Sequence, residues 1–262
     1  MTAPVDSNHP LLVVGDDGSS PSDSAWRWVT THSWPGWTVE VMTAAETEIE
    51  WGEPSEPAEW TPSWARTEEI EGATSLRFLT VATDARAMLA DKGDADLMVV
   101  GLRSHSYLEA MVTGSTTEWL LHHPPAPLVV AQNPERVRSV VVCADGSIHA
   151  TAAAEAFASL PFAAETRVTV LAIEDDRTDG ATAAQAGAEL LADRVAQVDT
   201  VVGEGSATDV ILDHIEANRP ELVVLGTRGL TGWKRLRLGS TAAAVVRACP
   251  CTSLVASDET TT

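Results

Sequence analysis

Leu11-Leu-Val-Val-Gly-Asp-Asp-Gly-Ser19 returns 128 residues later as Ser139-Val-Val-Val-Cys-Ala-Asp-Gly-Ser147. Each stretch is an apolar run ending at Asp-Gly-Ser, the pattern of a short buried strand that stops in a turn. Helical segments follow at 23–29 and 150–159, and second strands at 39–44 and 168–173. Further along, Asp94-Ala-Asp-Leu-Met-Val-Val-Gly101 matches Arg219-Pro-Glu-Leu-Val-Val-Leu-Gly226. Ala126-Pro-Leu-Val-Val-Ala131 then echoes Cys251-Thr-Ser-Leu-Val-Ala256. The chain is therefore two copies of one unit. Each copy reads as five strands alternating with helices, with domains expected at 1–134 and 135–262 around the connector Gln132-Asn-Pro-Glu-Arg-Val-Arg138.

Continuous apolar strands separated by helices place the chain in the α/β class, with a parallel sheet in each copy and helices on both faces. Ligands of such sheets bind beyond the carboxyl ends of the strands. That rule directs attention to Asp17, Gly101, Asp145 and Gly226.

Composition agrees with two globular domains. The 262 residues are 44% apolar and 21% charged, and domains of ~100–150 residues are usual. No run approaches the ~18 apolar residues of a membrane span. The first residues lack a basic stretch followed by an apolar one, so no secretory signal is read and a soluble cytoplasmic protein is expected. The net charge of −21 opposes phosphate backbones and anionic lipid, so neither nucleic acid nor membrane is an expected partner. Three cysteines cannot build a disulfide framework. Cys249-Pro-Cys251 and the pair His122-His123 lack a second Cys/His pair at ligand spacing. They read as core and turn residues, and no metal ligands are expected.

The copies differ in chemistry. Residues 46–71 hold nine Glu, the single cation Arg66, and Trp51, Trp60 and Trp64 among three prolines, whereas the second copy has the Ala-rich helical stretch 182–196 there. The acidic segment reads either as a recognition surface for a protein partner or as a loop whose tryptophans cover the sheet. The glycine loops differ too. Gly226-Thr-Arg-Gly229-Leu-Thr-Gly-Trp-Lys-Arg-Leu-Arg-Leu-Gly239-Ser240-Thr241 starts at a strand end and finishes at a helix start. Its glycines permit close backbone approach, the helix start presents N–H groups to an anion, and Arg228, Lys234, Arg235 and Arg237 form a local positive well. The first copy keeps the spacing but has Ser104 for the second glycine, lacks most cations, and places Glu118 to form a capping box with Ser115. One anion site, in the second copy, is expected.

Gly-x2-Gly-x9-Gly-Ser/Thr after a strand, together with the Asp-Gly-Ser strand ends, resembles the universal stress protein family in its tandem form, over nearly the whole chain. The resemblance implies two tandem five-stranded parallel-sheet domains of the Rossmann-type, adenine-nucleotide α-hydrolase-like fold. It further implies that 128–131 and 253–256 pair, making a monomeric pseudo-dimer or a homodimer. It implies ATP as ligand, with Mg or Mn bound through its phosphates. Carried over by position, Ala144 and Asp145 line the nucleoside, and Ile173 offers backbone groups to the adenine. Gly226, Arg228 and Gly229 lie against ribose and phosphates, while Gly239, Ser240 and Thr241 hold the phosphate chain. The family often has a hydroxyl residue where this chain has Ala144.

No P-loop and no nucleophile elbow is present, and no carboxylate is placed to activate water, so efficient hydrolysis is not expected and no catalytic residue is assigned. Three readings follow. The first is an ATP-binding regulatory stress-response module; the second is a nucleotide-independent interaction module acting through 46–71. The third is an enzyme using the nucleotide as substrate, which lacks a catalytic constellation.

Overall fold

The computed structural model describes residues 9–45, 66, 69–102, 116–176, 178–229 and 238–258. The first half supplies β1 (Leu11–Gly15), α1 (Ser20–Thr31), β2 (Thr38–Ala44), β3 (Ser75–Val81), α2 (Ala85–Ala90), β4 (Leu97–Gly101), α3 (Thr116–His122) and β5 (Leu128–Ala131). The second supplies β6 (Ser139–Ala144), α4 (Ile148–Ala158), β7 (Arg167–Glu174), α5 (Gly180–Leu191), β8 (Gln197–Glu204), α6 (Ala207–Asn218), β9 (Leu222–Gly226), α7 (Ser240–Ala248) and β10 (Thr252–Ala256). No described helix is long and apolar enough to cross a membrane.

The sequence sets these boundaries locally. Ser19 accepts the Ser22 N–H to start α1, with a proline in its first turn, and Ser147 does the same for α4 through the Ala150 N–H at 3.2 Å. At its other end α6 stops where Arg219 takes a left-handed φ of 48° ahead of Pro220. The strands β1, β4, β5, β9 and β10 are buried almost throughout. This is why β1, β4, β5 and β9 read as continuous apolar runs rather than an alternating pattern, while β10 buries Thr252 and Ser253 ahead of its Leu-Val-Ala.

The strands form one sheet in the order β3-β2-β1-β4-β5-β10-β9-β6-β7-β8. Every neighbouring pair is parallel except β5 with β10, which run antiparallel with Leu128 opposite Val255, Val129 opposite Leu254 and Val130 opposite Ser253. The two expected sheets thus join into a single ten-stranded one, because each last strand satisfies the other's backbone groups. Core layers cover both faces. One holds Trp28, Trp34, Phe157 and Leu191, the other Met98, Leu120, Ile215 and Val245. Phe162 of the second half packs edge-on against Trp28 and Trp34 of the first, so the former layer is continuous across the halves. Trp26 and Trp37 are buried as well. Trp51, Trp60 and Trp64 lie outside the described residues.

In each half the chain winds outward from the central strand in both directions. The reversal falls between β1 and β4 in the first half and between β6 and β9 in the second. These are the two points where strand ends part and leave a crevice.

Candidate functional site

At the reversal between β6 and β9 the crevice widens into a cavity of about 420 Å³. Ala144 and Asp145 reach it from the end of β6, and Ile173 from β7. Gly226, Arg228 and Gly229 enter from the end of β9, and Gly239, Ser240 and Thr241 from the start of α7. All nine residues singled out in the sequence line this one space. Lys234, Arg235 and Arg237 lie outside the described residues, as do Ser104 and Ser115 of the first half.

Short-range bonds hold the walls. Asp145 Oδ1 accepts the Ser147 N–H at 2.9 Å across Gly146, whose φ is +75°. Ser147 Oγ donates to the Arg228 carbonyl at 3.4 Å, tying the β6 turn to the glycine loop. The loop base is closed at Thr227. Its N–H donates to the Ala256 carbonyl at 2.8 Å, and its carbonyl accepts the Gly239 N–H at 2.6 Å. The glycines are required by contact. A Cβ on Gly229 would stand 2.6 Å from Asp145 Oδ2, and one on Gly226 would stand 2.7 Å from the Ala150 backbone nitrogen. A Cβ on Gly101 in the first half would collide with the Pro21 carbonyl. The strand-end glycine therefore packs sheet against helix in both halves, whereas Gly229 makes room beside a cavity carboxylate.

Two helices point their starts at the cavity. Side chains accept an N-terminal N–H in α1, α2, α4 and α5, but α6 and α7 begin without such a cap. Ala207 of α6 and Ser240, Thr241 and Ala242 of α7 line the space. The first N–H groups of a helix lack intrahelical acceptors and carry the positive end of its dipole. Two such ends on one cavity make it a place for an anion.

Apolar side chains line the cavity too: Cys143 from β6, Leu225 from β9 and Ile211 from α6. Burial, and then the charge of Asp145, push the Cys143 thiol up to about 12, so it stays neutral and acts as a small apolar group. Cys249, which caps the end of α7, and Cys251 are free and buried. Ala207, Ile211 and Thr227 were not singled out in the sequence. Thr227 is the hydroxyl residue between two named ones and was legible; Ala207 and Ile211 enter only because α6 starts at the end of β8.

Three described counterparts in the first half carry different side chains. Asp16 replaces Ala144 and bonds Arg66. Thr117 replaces Ala242 and donates to the Gly101 carbonyl at 2.7 Å. Glu118 replaces Ala243, and its carboxylate pairs with Arg247 of α7 and with His122 at 3.4 Å. Burial opposes its ionisation, but Arg247 and His122 outweigh it and hold the carboxyl below its ordinary value.

Comparison with known proteins agrees with this architecture. The model of the Universal stress protein family matches residues 11–132 and 174–257, and the chain belongs to that family. Its fold is similar to that of a universal stress protein from Archaeoglobus fulgidus, at TM-score 0.71 and 18% identity over 95% of this chain and 97% of that one. A putative universal stress protein from Pseudomonas aeruginosa matches at TM-score 0.59 and 13% identity, over 95% of this chain and 94% of that one. A family protein from Arabidopsis thaliana, solved with AMP bound, aligns at TM-score 0.38 and 17% identity over 48% of this chain and 96% of that one. None of the curated proteins matches this sequence.

Proposed function

We propose that this chain is an ATP-binding regulatory module that holds one nucleotide, in the cavity of the second half, and presents its state to a protein partner in the cytoplasm. The observation that carries the reading is the cavity itself, lined together by two helix starts without side-chain caps, Arg228, the Asp145 carboxylate and the loop glycines. A cavity of about 420 Å³ also falls in the range of small-molecule sites. In this reading Asp145 and Ala144 border the nucleoside, and the Ile173 backbone meets the adenine. Gly226, Arg228 and Gly229 follow the ribose and first phosphates, and Gly239, Ser240 and Thr241 receive the phosphate chain. Mg or Mn binds through the phosphates. No described residue of the cavity is assigned to activate water, and slow turnover at most is expected. The halves, bounded at residue 134, act together as a pseudo-dimer.

The test is to denature the purified protein, quantify the adenine nucleotide released per chain, and titrate the emptied protein with ATP. One site per chain is expected. Two would overturn the assignment to the second half alone. No nucleotide released and no heat on titration would overturn nucleotide binding and leave residues 46–71 as the functional element.

A further inference from the structure

The end of β1 is the counterpart of the end of β6, with Asp16 in place of Ala144. Asp16 is only 4% exposed. A carboxylate that deep requires a cation or several donors. Arg66 provides the cation. Its Nε donates to Asp16 Oδ2 at 2.9 Å and a terminal nitrogen donates to Oδ1 at 3.3 Å, a two-pronged grip. The same guanidinium reaches Asp23 Oδ1 on α1 at 2.5 Å. The Arg66 side chain is 16% exposed, so the group is set into the strand end rather than laid over it.

The source of this arginine is informative. Arg66 is the single cation among residues 46–71, which carry nine Glu. Of the charged side chains in that segment, Arg66 alone has the sign that carboxylates such as Asp16 and Asp23 attract. In the second half the matching positions are Ala144 and Thr151, which call for no cation, and there the strand end opens into the cavity.

We propose that the strand end of the first half is a guanidinium site, and that Arg66 is its resident occupant, closing to a nucleotide the place whose counterpart is open in the second half. The guanidinium site stands on the ion-pair geometry alone; only the closure to nucleotide rests on the function proposed above.

Thermal melting of the whole chain without nucleotide tests it. Arg66→Ala is expected to lower Tm by about 5–10 °C, because it leaves Asp16 buried without a counter-ion, with the Gly18 N–H at 3.0 Å as its remaining described donor. Millimolar ethylguanidinium should restore at least half of that loss in a saturable way, while equal ionic strength from NaCl should not. Neither the parent chain nor the double variant Asp16→Ala with Arg66→Ala should respond, and the double variant should melt above Arg66→Ala alone. If Arg66→Ala does not fold, recovery of folding by ethylguanidinium or by the added Asp16→Ala gives the same support. A loss that neither of them reverses, or an equal ethylguanidinium shift in the parent chain, would overturn the proposal. These melts contain no ATP, so failure of nucleotide binding would leave their outcome standing.

Discussion

Gly226 and Gly229 sit three positions apart in one motif yet answer to different demands, and substitution separates them. An added methyl on Gly226 meets backbone, with the Ala150 nitrogen at 2.7 Å and the His149 carbonyl carbon at 2.8 Å, so strand and helix must part. Gly226→Ala should cost about 1–3 kcal/mol of stability, read as a lowered denaturation midpoint. Among the described residues the methyl of Gly229→Ala meets the Asp145 carboxylate, at 2.6 Å, the far end of a side chain that can swing aside. That variant should keep its midpoint and lose ATP affinity at least tenfold by calorimetric titration. Equal stability losses in the two variants would show that the second glycine, too, serves packing. The spacing of these glycines was legible in the sequence; which of them packs and which clears the cavity was not, since both roles ask for the same missing side chain.

Among the elements, legibility followed burial. The strands β1, β4, β6 and β9 sit inside the sheet, are covered on both faces, and so read as unbroken apolar runs. The two outermost strands, β3 and β8, have exposed or partly exposed residues throughout, as in Gln-Val-Asp-Thr-Val-Val-Gly-Glu of β8, and the sequence did not locate them. Missing the end of β8 meant missing the start of α6, and with it Ala207 and Ile211 of the cavity. The start of α6 makes its own prediction. Ser206 occupies the cap position without a side-chain bond. Ser206→Asp should cap the helix and raise stability by about 0.5 kcal/mol. The same carboxylate offsets the positive helix end facing the cavity, so ATP affinity should fall several-fold, and added salt should shrink the difference. Affinity unchanged at low ionic strength would remove α6 from the anion site.

For the whole molecule the question is what holds two halves as one sheet, and the β5–β10 pair is only part of the answer. His32, at the end of α1 and 2% exposed, forms a second tie. Its Nδ1 donates to the Trp28 carbonyl at 2.7 Å, which leaves Nε2 to accept the N–H of Val137, in the connector, at 3.0 Å. The ring also packs on Phe162 of the second half, centroids 4.3 Å apart, with Trp28 beside it. A protonated ring cannot accept the Val137 N–H. Burial lowers the pKa of His32 below its ordinary value; the Trp28 carbonyl opposes this, and the charge of nearby Arg136, itself paired with Glu165, adds to it. A group depressed in this way is protonated more readily in the unfolded chain, so its contribution is complete above the unfolded pKa of ~6.5 and is lost as pH falls towards the folded value. Stability should therefore decline by up to about 1.4 kcal/mol per pH unit below ~6.5, for as long as the folded ring stays neutral. His214 is shifted down by burial too and adds to the same slope, so the parent chain alone does not isolate the tie. Comparison of His32→Gln with His214→Gln in urea melts from about pH 7.5 to about pH 5.5, a window that brackets the ordinary histidine pKa, does. The amide introduced by His32→Gln keeps a polar group for Val137 but cannot titrate, so this variant should lose most of the slope, whereas His214→Gln should keep most of it. The reverse ranking would mean that the clasp between α1 and the connector is not what acid releases.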